Sequence, residues 1–421
     1  MMISRRRLGR YAAALTMTTA ATAVLAACTG DGEDSDTEAG EDSLTLMISS
    51  SGEAQTSAVR DALASFTEDT GVAVRLLPAT DLDQELSQSL ASGSPADVFY
   101  LDPQQLVSYA DAGDLHAYGD QLPAAGDYYP SLVANATYRG EVYGAPRGFS
   151  TLALFINTGL WEAAGLTAED YPTTWAELET TAAALAAGGT AGLVLTPDYT
   201  TADAFMAQAG GGLAEGSGGD GQAAEGVTVT ADSQASVAGL SQMKALVDSG
   251  AAVLSSSLDE GSGGDVFTQG QAGMTIAGYG LVGVLEEDYP ELGFTVVELP
   301  EGSAGRATVQ QAAFYGVAEA SARKEDALRL VEHLTSTGVQ VELAAAQGLV
   351  PSVRSAAQQW AGEDPVSTAF VAGAEHAVYA PLGDGVAEVL QGFEDQLSSL
   401  ADTDPEAILG PLQVNLEAAT A

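Results

Sequence analysis

A chain of 421 residues, 46% hydrophobic and 17% charged, carries enough apolar material for a large core and enough length for two or three domains. Its formal charge is −44, with 58 acidic side chains against 14 basic ones, which disfavours nucleic acid as a partner because phosphate binding needs clustered Lys and Arg. A single cysteine, and three histidines (His116, His333, His376) that lie far apart, exclude structural disulfides and thiolate metal sites within a monomer and show no ligand spacing.

The chain opens on Arg5, Arg6, Arg7 and Arg10, with no acidic residue among them. An apolar run follows from Tyr11 to Ala27 and closes on Leu25-Ala26-Ala27-Cys28. Small residues before a cysteine at the end of such a run read as a cleavage signal, so residues 1–27 are expected to be a signal peptide and 28–42 an acidic flexible tether. The pattern resembles the lipobox of bacterial lipoproteins, and Ser4-Arg5-Arg6-Arg7-Leu8 resembles a twin-arginine export signal. The expectation is a mature chain at the extracytoplasmic face of the cell membrane, held by lipid on Cys28 with no spanning helix. Cleavage removes four arginines and no acid, leaving 10 basic and 58 acidic residues, a charge of −48. The plain use of so much acid is solubility, since screening confines its field to about 8 Å at physiological salt.

Leu44–Ser49 reads as a strand and is followed by a helix with Val59, Leu63 and Phe66 on one face and Gly71 after its end. Val72–Leu77 is the next expected strand, then a helix with Leu82, Leu86 and Leu90 at fourfold spacing, then the strand Ala96–Leu101 and a helix opened by Pro103. This βαβαβα alternation predicts a largely parallel sheet covered by helices. Glu141–Pro146 and Thr151–Asn157 are expected strands, and a helix follows at Trp161. Thr174-Trp175-Ala176-Glu177 spells a capping box, which makes Trp175 a packing residue at a helix start. Residues 209–226 read as an exposed loop or hairpin. Ser233–Ser249 is an expected helix, with Val237, Leu240, Met243 and Leu246 inward and Gly250 as its stop. Gly261–Gly264 reads as a loop, and Met274–Ala277, Phe294–Leu299 and Phe314–Ala318 as strands. The remainder reads as mostly helical, closing on a helix capped by Asp404-Pro405-Glu406 with Ile408, Leu412 and Leu416 inward.

No Gly-x-Ser-x-Gly elbow, P-loop or His-Glu-x-x-His occurs. The Tyr128-Tyr129 pair could offer phenolates to ferric iron, but Pro130 follows directly and no histidine is near, so the pair reads as loop packing. Gly278-Tyr279-Gly280-Leu281-Val282-Gly283 spells G-x-G-x-x-G after an expected strand, and Glu298 lies 20 residues beyond the first glycine, the spacing of a dinucleotide-binding unit. An exported nicotinamide-dependent oxidoreductase using Gly278–Gly283 therefore stands as an alternative on the residues, although Pro290 restricts the following helix to about two turns.

Several segments, in order, resemble the family 1 extracellular solute-binding proteins of ABC importers, the maltose-binding type. They are Pro95-Ala-Asp-Val-Phe-Tyr-Leu-Asp102, Tyr143-Gly-Ala-Pro-Arg-Gly-Phe-Ser-Thr-Leu-Ala-Leu-Phe-Ile-Asn157, Leu160-Trp-Glu-Ala-Ala-Gly-Leu166, Pro172-Thr-Thr-Trp-Ala-Glu-Leu178, Phe267-Thr-Gln-Gly-Gln-Ala-Gly-Met-Thr-Ile276 and Gly348-Leu-Val-Pro-Ser352. The resemblance covers nearly the whole mature chain. It implies an α/β, two-lobed periplasmic-binding-protein-like fold (type II), each lobe a mixed, mostly parallel sheet flanked by helices. Lobe 1 would comprise 43–150 and 313–355, and lobe 2 would comprise 151–312 and 356–421, with crossings near Phe149–Leu152, near Gln310–Phe314 and around 350–365. It also implies a non-enzymatic, monomeric protein without cofactor that captures a carbohydrate in the interlobe cleft and delivers it to the permease subunits. A non-sugar ligand, cationic or metal, and a scaffold that binds only proteins remain open.

Sugars need hydrogen-bonding groups for their hydroxyls and aromatic faces for their C–H surfaces. Ser51 and Glu53 follow the first strand, and Asp102 and Gln104 the third, at the carboxyl edge where open α/β sheets bind ligands. Asp102 would accept two hydroxyls or cap the helix begun at Pro103. Arg147, Phe149 and Ser150 lie at the first crossing, Gly278, Tyr279 and Gly280 at a strand-to-helix turn of lobe 2, and Tyr315 and Tyr379 are further stacking candidates. Many members of the family carry tryptophan near Gly280, so this chain lacks one stacking surface.

Overall fold

The computed structural model describes residues 43–420 apart from 51, 123–125, 216–226, 259–260 and 384. The signal peptide, the tether, Cys28 and Ser51 therefore lie outside the described residues. Among those described, no helix is long and apolar enough to cross a membrane.

Two mixed sheets organise the chain, each flanked by helices. In the first, Val74–Ala79, Leu44–Ser49 and Val98–Leu101 run parallel, and Thr308–Val317 pairs antiparallel to Val98–Leu101. Gly144–Thr151 then pairs antiparallel to Thr308–Val317, and Ala377–Val378 pairs parallel to it. The second sheet has the order Ala252–Leu254, Ala191–Leu195, Ala272–Ala277, Ala153–Asn157, Phe294–Val297. Its first three strands are parallel, and Ala153–Asn157 runs against both neighbours. Helices cover both faces, so the inner strands are apolar along their length rather than alternating: Val98–Leu101 and Ala153–Asn157 are buried at every residue.

The helices follow from sequence at several points. Glu53–Thr70 buries Val59, Leu63 and Phe66, and Gly71 ends it at φ 73°, a conformation cheap only for glycine. The Thr174 and Glu177 side chains close the capping box on the helix Trp175–Ala186, and Trp175 donates its indole N–H to Gln208 Oε1 at 2.6 Å. Ser233 caps Gln234–Asp248. Residues 214–215 and 228–229 pair as the legs of a hairpin. The expected loop at Gly261–Gly264 instead starts the helix Gly263–Thr268, because Ser262 and Asp265 form a second capping box.

The chain changes sheet at Leu152, between Gly144–Thr151 and Ala153–Asn157. It returns between Val297 and Thr308, and it joins the second sheet's helices again after Val378, where Val386–Leu397 and Pro405–Ala419 pack into that sheet's core. These positions differ from the divisions at 312–313 and 355–356 expected from sequence. The reason at the first is that Thr308–Val317 is first-sheet strand along its whole length, its buried polar residues Thr308 and Gln310 pairing with Ala377 and Thr151. Three hydrogen bonds bind the crossings together. The Thr308 hydroxyl accepts the Leu152 amide at 2.9 Å and donates to the Leu152 carbonyl at 3.0 Å, and Thr151 Oγ1 donates to the Phe370 carbonyl at 3.1 Å.

One apolar cluster runs from the first sheet (Met47, Phe99, Leu101) through Phe149 and Phe370 to the second (Phe155, Phe267, Ala272). Phe370 meets Phe155 at 6.0 Å and Tyr279 at 5.3 Å between ring centroids, and Tyr279 meets Trp360 edge-on at 4.7 Å.

Candidate functional site

The carboxyl ends of the second sheet's Ala191–Leu195 and Ala272–Ala277 strands lie beside the crossing at Leu152. A cleft of about 640 Å³ opens there, within the range of small-molecule sites. Most of its wall comes from the second sheet. Thr196, Asp198, Tyr199 and Thr200 follow the Ala191–Leu195 strand, Gly278, Gly280, Leu281 and Val284 follow Ala272–Ala277, and Ser262, Gly264, Asp265 and Thr268 come from the Gly263–Thr268 helix and its cap. Ser150, Leu152 and Gln311 form the floor, Gly348 joins from the first-sheet side, and Glu394 reaches in from Val386–Leu397.

The carboxylates of this wall are fixed by one oxygen each. Asp198 caps the helix Tyr199–Gln208, its Oδ1 accepting the Thr201 amide at 2.7 Å and the Thr200 hydroxyl at 2.8 Å. Asp265 Oδ2 accepts the Ser262 amide and hydroxyl at 3.0 and 2.8 Å. Glu394 Oε1 accepts the Tyr199 amide at 3.3 Å. Burial holds the Glu394 carboxyl above the ordinary range, and the neighbouring Asp198 and Asp395 push it the same way against the Tyr199 hydrogen bond. Burial likewise raises the Tyr199 phenol, which hydrogen-bonds Gln311.

On the first-sheet side, the Arg147 guanidinium lies 3.9 Å above the Tyr100 ring and donates to Gln347 Oε1 at 3.0 Å. Asp102 follows Tyr100 as an exposed residue whose carboxyl is nevertheless held above the ordinary range by partial burial, against the lowering pull of Arg147. Its carboxylate makes no cap hydrogen bond, although it holds the N-cap position before Pro103.

The expected site residues thus separate. Ser150, Gly278 and Gly280 line the cleft; Asp102 and Arg147 do not line it, but Arg147 bonds Gln347, next to the lining Gly348. Ser150 Oγ accepts the Tyr279 amide at 3.1 Å, and a Cβ on Gly278 would lie 2.6 Å from that oxygen, so this close approach accounts for the first glycine of the G-x-G-x-x-G run. A Cβ on Gly280 would meet nothing within 4 Å. The strand after this run, Phe294–Val297, is separated from Ala272–Ala277 by the antiparallel Ala153–Asn157, so the adjacent parallel pair of a dinucleotide-binding unit does not form.

Four aromatic candidates face the interior instead. Phe149 is fully buried and edge-on to Tyr129 at 5.2 Å, and the Tyr279 ring is enclosed by Trp360 and Phe370. Tyr315 is 1% exposed, edge-on to Tyr100, and Tyr379 is buried with Ala134 and Leu382. Gln104 donates to the Pro381 carbonyl at 3.1 Å, and Glu53 is exposed and ion-paired with Arg60 at 3.3 Å. Sequence reading missed Thr196, Asp198, Tyr199, Asp265 and Glu394. A signal existed for the first three: Gly192-Leu193-Val194-Leu195 is a buried-strand run, and Thr196-Pro197-Asp198 follows at its carboxyl end.

The sequence pattern of the family described as bacterial extracellular solute-binding protein matches residues 49–341. The chain belongs to that family. Its members are the solute-binding components of ABC transporters. A binding protein of Brucella abortus (strain 2308) is 24% identical over 357 residues, covering 79% of this chain and 82% of the relative. The fold is shared with the GacH receptor of Streptomyces glaucescens, solved unliganded and with acarbose (TM-score 0.72, 23% identity, 90% of this chain and 98% of that one). It is shared too with the cyclic alpha-maltosyl-1,6-maltose binding protein of Arthrobacter globiformis (TM-score 0.76, 20% identity, 90% and 98%). Both of these are two-lobed binding proteins.

Proposed function

We propose that this protein captures a carbohydrate between its two sheets and hands it to an ABC permease, without chemical conversion. The observation that carries the reading is the cleft itself. Three carboxylates, each hydrogen-bonded through one oxygen, keep the other available for sugar hydroxyls, and Tyr199 offers a ring for the C–H face of a pyranose. Ser150, Gly278, Asp102 and Arg147 from the expected set belong to this site, and Tyr199, Asp198, Asp265 and Glu394 complete it. The ligands in the names of the Arthrobacter and Streptomyces proteins are saccharides or saccharide mimics, which supports the same class here.

Lobe 1 is built on the first sheet and lobe 2 on the second, hinged at Leu152 and its two companion crossings. A ligand that touches both would favour the closed form, and the permease would read that form. Lipid on Cys28 would hold the mature monomer at the extracytoplasmic face of the membrane, and Cys28→Ser would release it into the medium. Calorimetry of the mature protein against a saccharide panel tests the ligand class: at least one saccharide binds. Silence from every saccharide, with tight binding of another solute class, overturns it.

A further inference from the structure

We propose that the cleft selects a saccharide bearing an amino group, protonated at working pH, over its neutral counterpart, and rejects acidic saccharides. The inference rests on the carbohydrate reading and concerns the charge of the guest. The cavity fixes where the ligand sits; its walls fix what charge suits it. Asp198, Asp265 and Glu394 come from three separate elements and meet around one 640 Å³ space. None of them forms an ion pair, although nine ion pairs hold carboxylates among the described residues elsewhere. Among the described residues, no Lys or Arg lines the cavity.

On the first-sheet side, Arg147 is committed to the Tyr100 face and Gln347, and it stands beside Asp102. The charged side chains that line the cavity are therefore three carboxylates, and Asp102 and Arg147 beyond them act on each other. Burial raises the Glu394 carboxyl and Asp198 adds to it by repulsion, which a guest ammonium would relieve. The Tyr199 ring, half-buried at the same wall, adds an electron-rich face for a cation. One ammonium about 6 Å from a carboxylate, at an effective dielectric of about 40 in an open cleft, gains about tenfold in affinity over a hydroxyl.

The experiment uses the mature protein and matched trios: glucosamine di- to tetrasaccharides, their N-acetylated counterparts, and galacturonate oligomers of the same lengths, together with maltooligosaccharides. Calorimetry is run at pH 6.5 in 20 and 300 mM salt. The expected result is that the amine member binds about tenfold tighter than its neutral counterpart at low salt, that the preference shrinks at high salt, and that the uronates do not bind. The triple variant Asp198→Asn, Asp265→Asn, Glu394→Gln brings the amine-to-neutral ratio to about one, with its melting curve confirming the fold. Neutral saccharides binding as tightly as the amines, or more tightly, overturns the charge inference and leaves the carbohydrate reading standing. Binding of no saccharide of any charge overturns both.

Discussion

Asp203 is buried within the helix Tyr199–Gln208, 1% exposed. Its Oδ1 accepts the Leu213 amide at 3.0 Å and its Oδ2 has no partner. Burial pushes the carboxyl up to about 7 from 3.8, against the lowering effect of the Leu213 hydrogen bond. Between the two values the folded protein holds a proton that the unfolded chain releases, so unfolding free energy falls as pH rises, by about 1.4 kcal/mol per unit. The contribution is complete below pH about 4 and gone above about 7, and roughly 3 kcal/mol of it is lost between pH 5 and 8. Asp203→Asn keeps an acceptor for Leu213 and cannot ionise. Urea unfolding of both proteins at pH 5, 6, 7 and 8 should show the variant gaining on the wild type by about 3 kcal/mol across that series and levelling above pH 7. A difference that stays constant from pH 5 to 8 would refute the reasoning.

Thr308→Val keeps the volume but leaves both polar backbone atoms of Leu152 without their partner, and it should cost about 2 kcal/mol in urea unfolding. A cost near zero would show that the crossing finds other partners. Tyr199→Ala should weaken saccharide binding about tenfold by calorimetry, from the loss of ring stacking, while Asp198 still caps the helix. Gly280→Trp should tighten the same binding about fivefold, since a side chain there enters open cleft; weaker binding would mean the indole blocks entry.

The sequence displayed the fold more readily than the site. Elements whose signals are local came through: the strand Leu44–Ser49, the stripe and terminal glycine of Glu53–Thr70, the box at Thr174 and Glu177. Thr308–Val317 was legible only in its apolar second half, because Thr308, Gln310 and Gln311 look like loop residues until both neighbouring strands are in place. Phe149, Tyr279, Tyr315 and Tyr379 have the chemistry of stacking platforms, yet composition says nothing about direction. Phe149 and Tyr279 point into the cluster shared by the two sheets, Tyr315 into the first sheet's own core, and Tyr379 against Ala134 and Leu382. The cleft carboxylates sit at positions 198, 265 and 394, and only tertiary folding brings them to one space. Gly278 was conspicuous for a phosphate cradle and is glycine because of Ser150 Oγ.

The aromatic cluster joining Phe149, Phe370, Tyr279 and Phe155 has a consequence for how the molecule melts. Because that cluster takes residues from both sheets, each half loses part of its interior once the other comes apart. Heat should therefore dissolve the body in one calorimetric step, and a guest held between the sheets should delay the collapse of both halves equally.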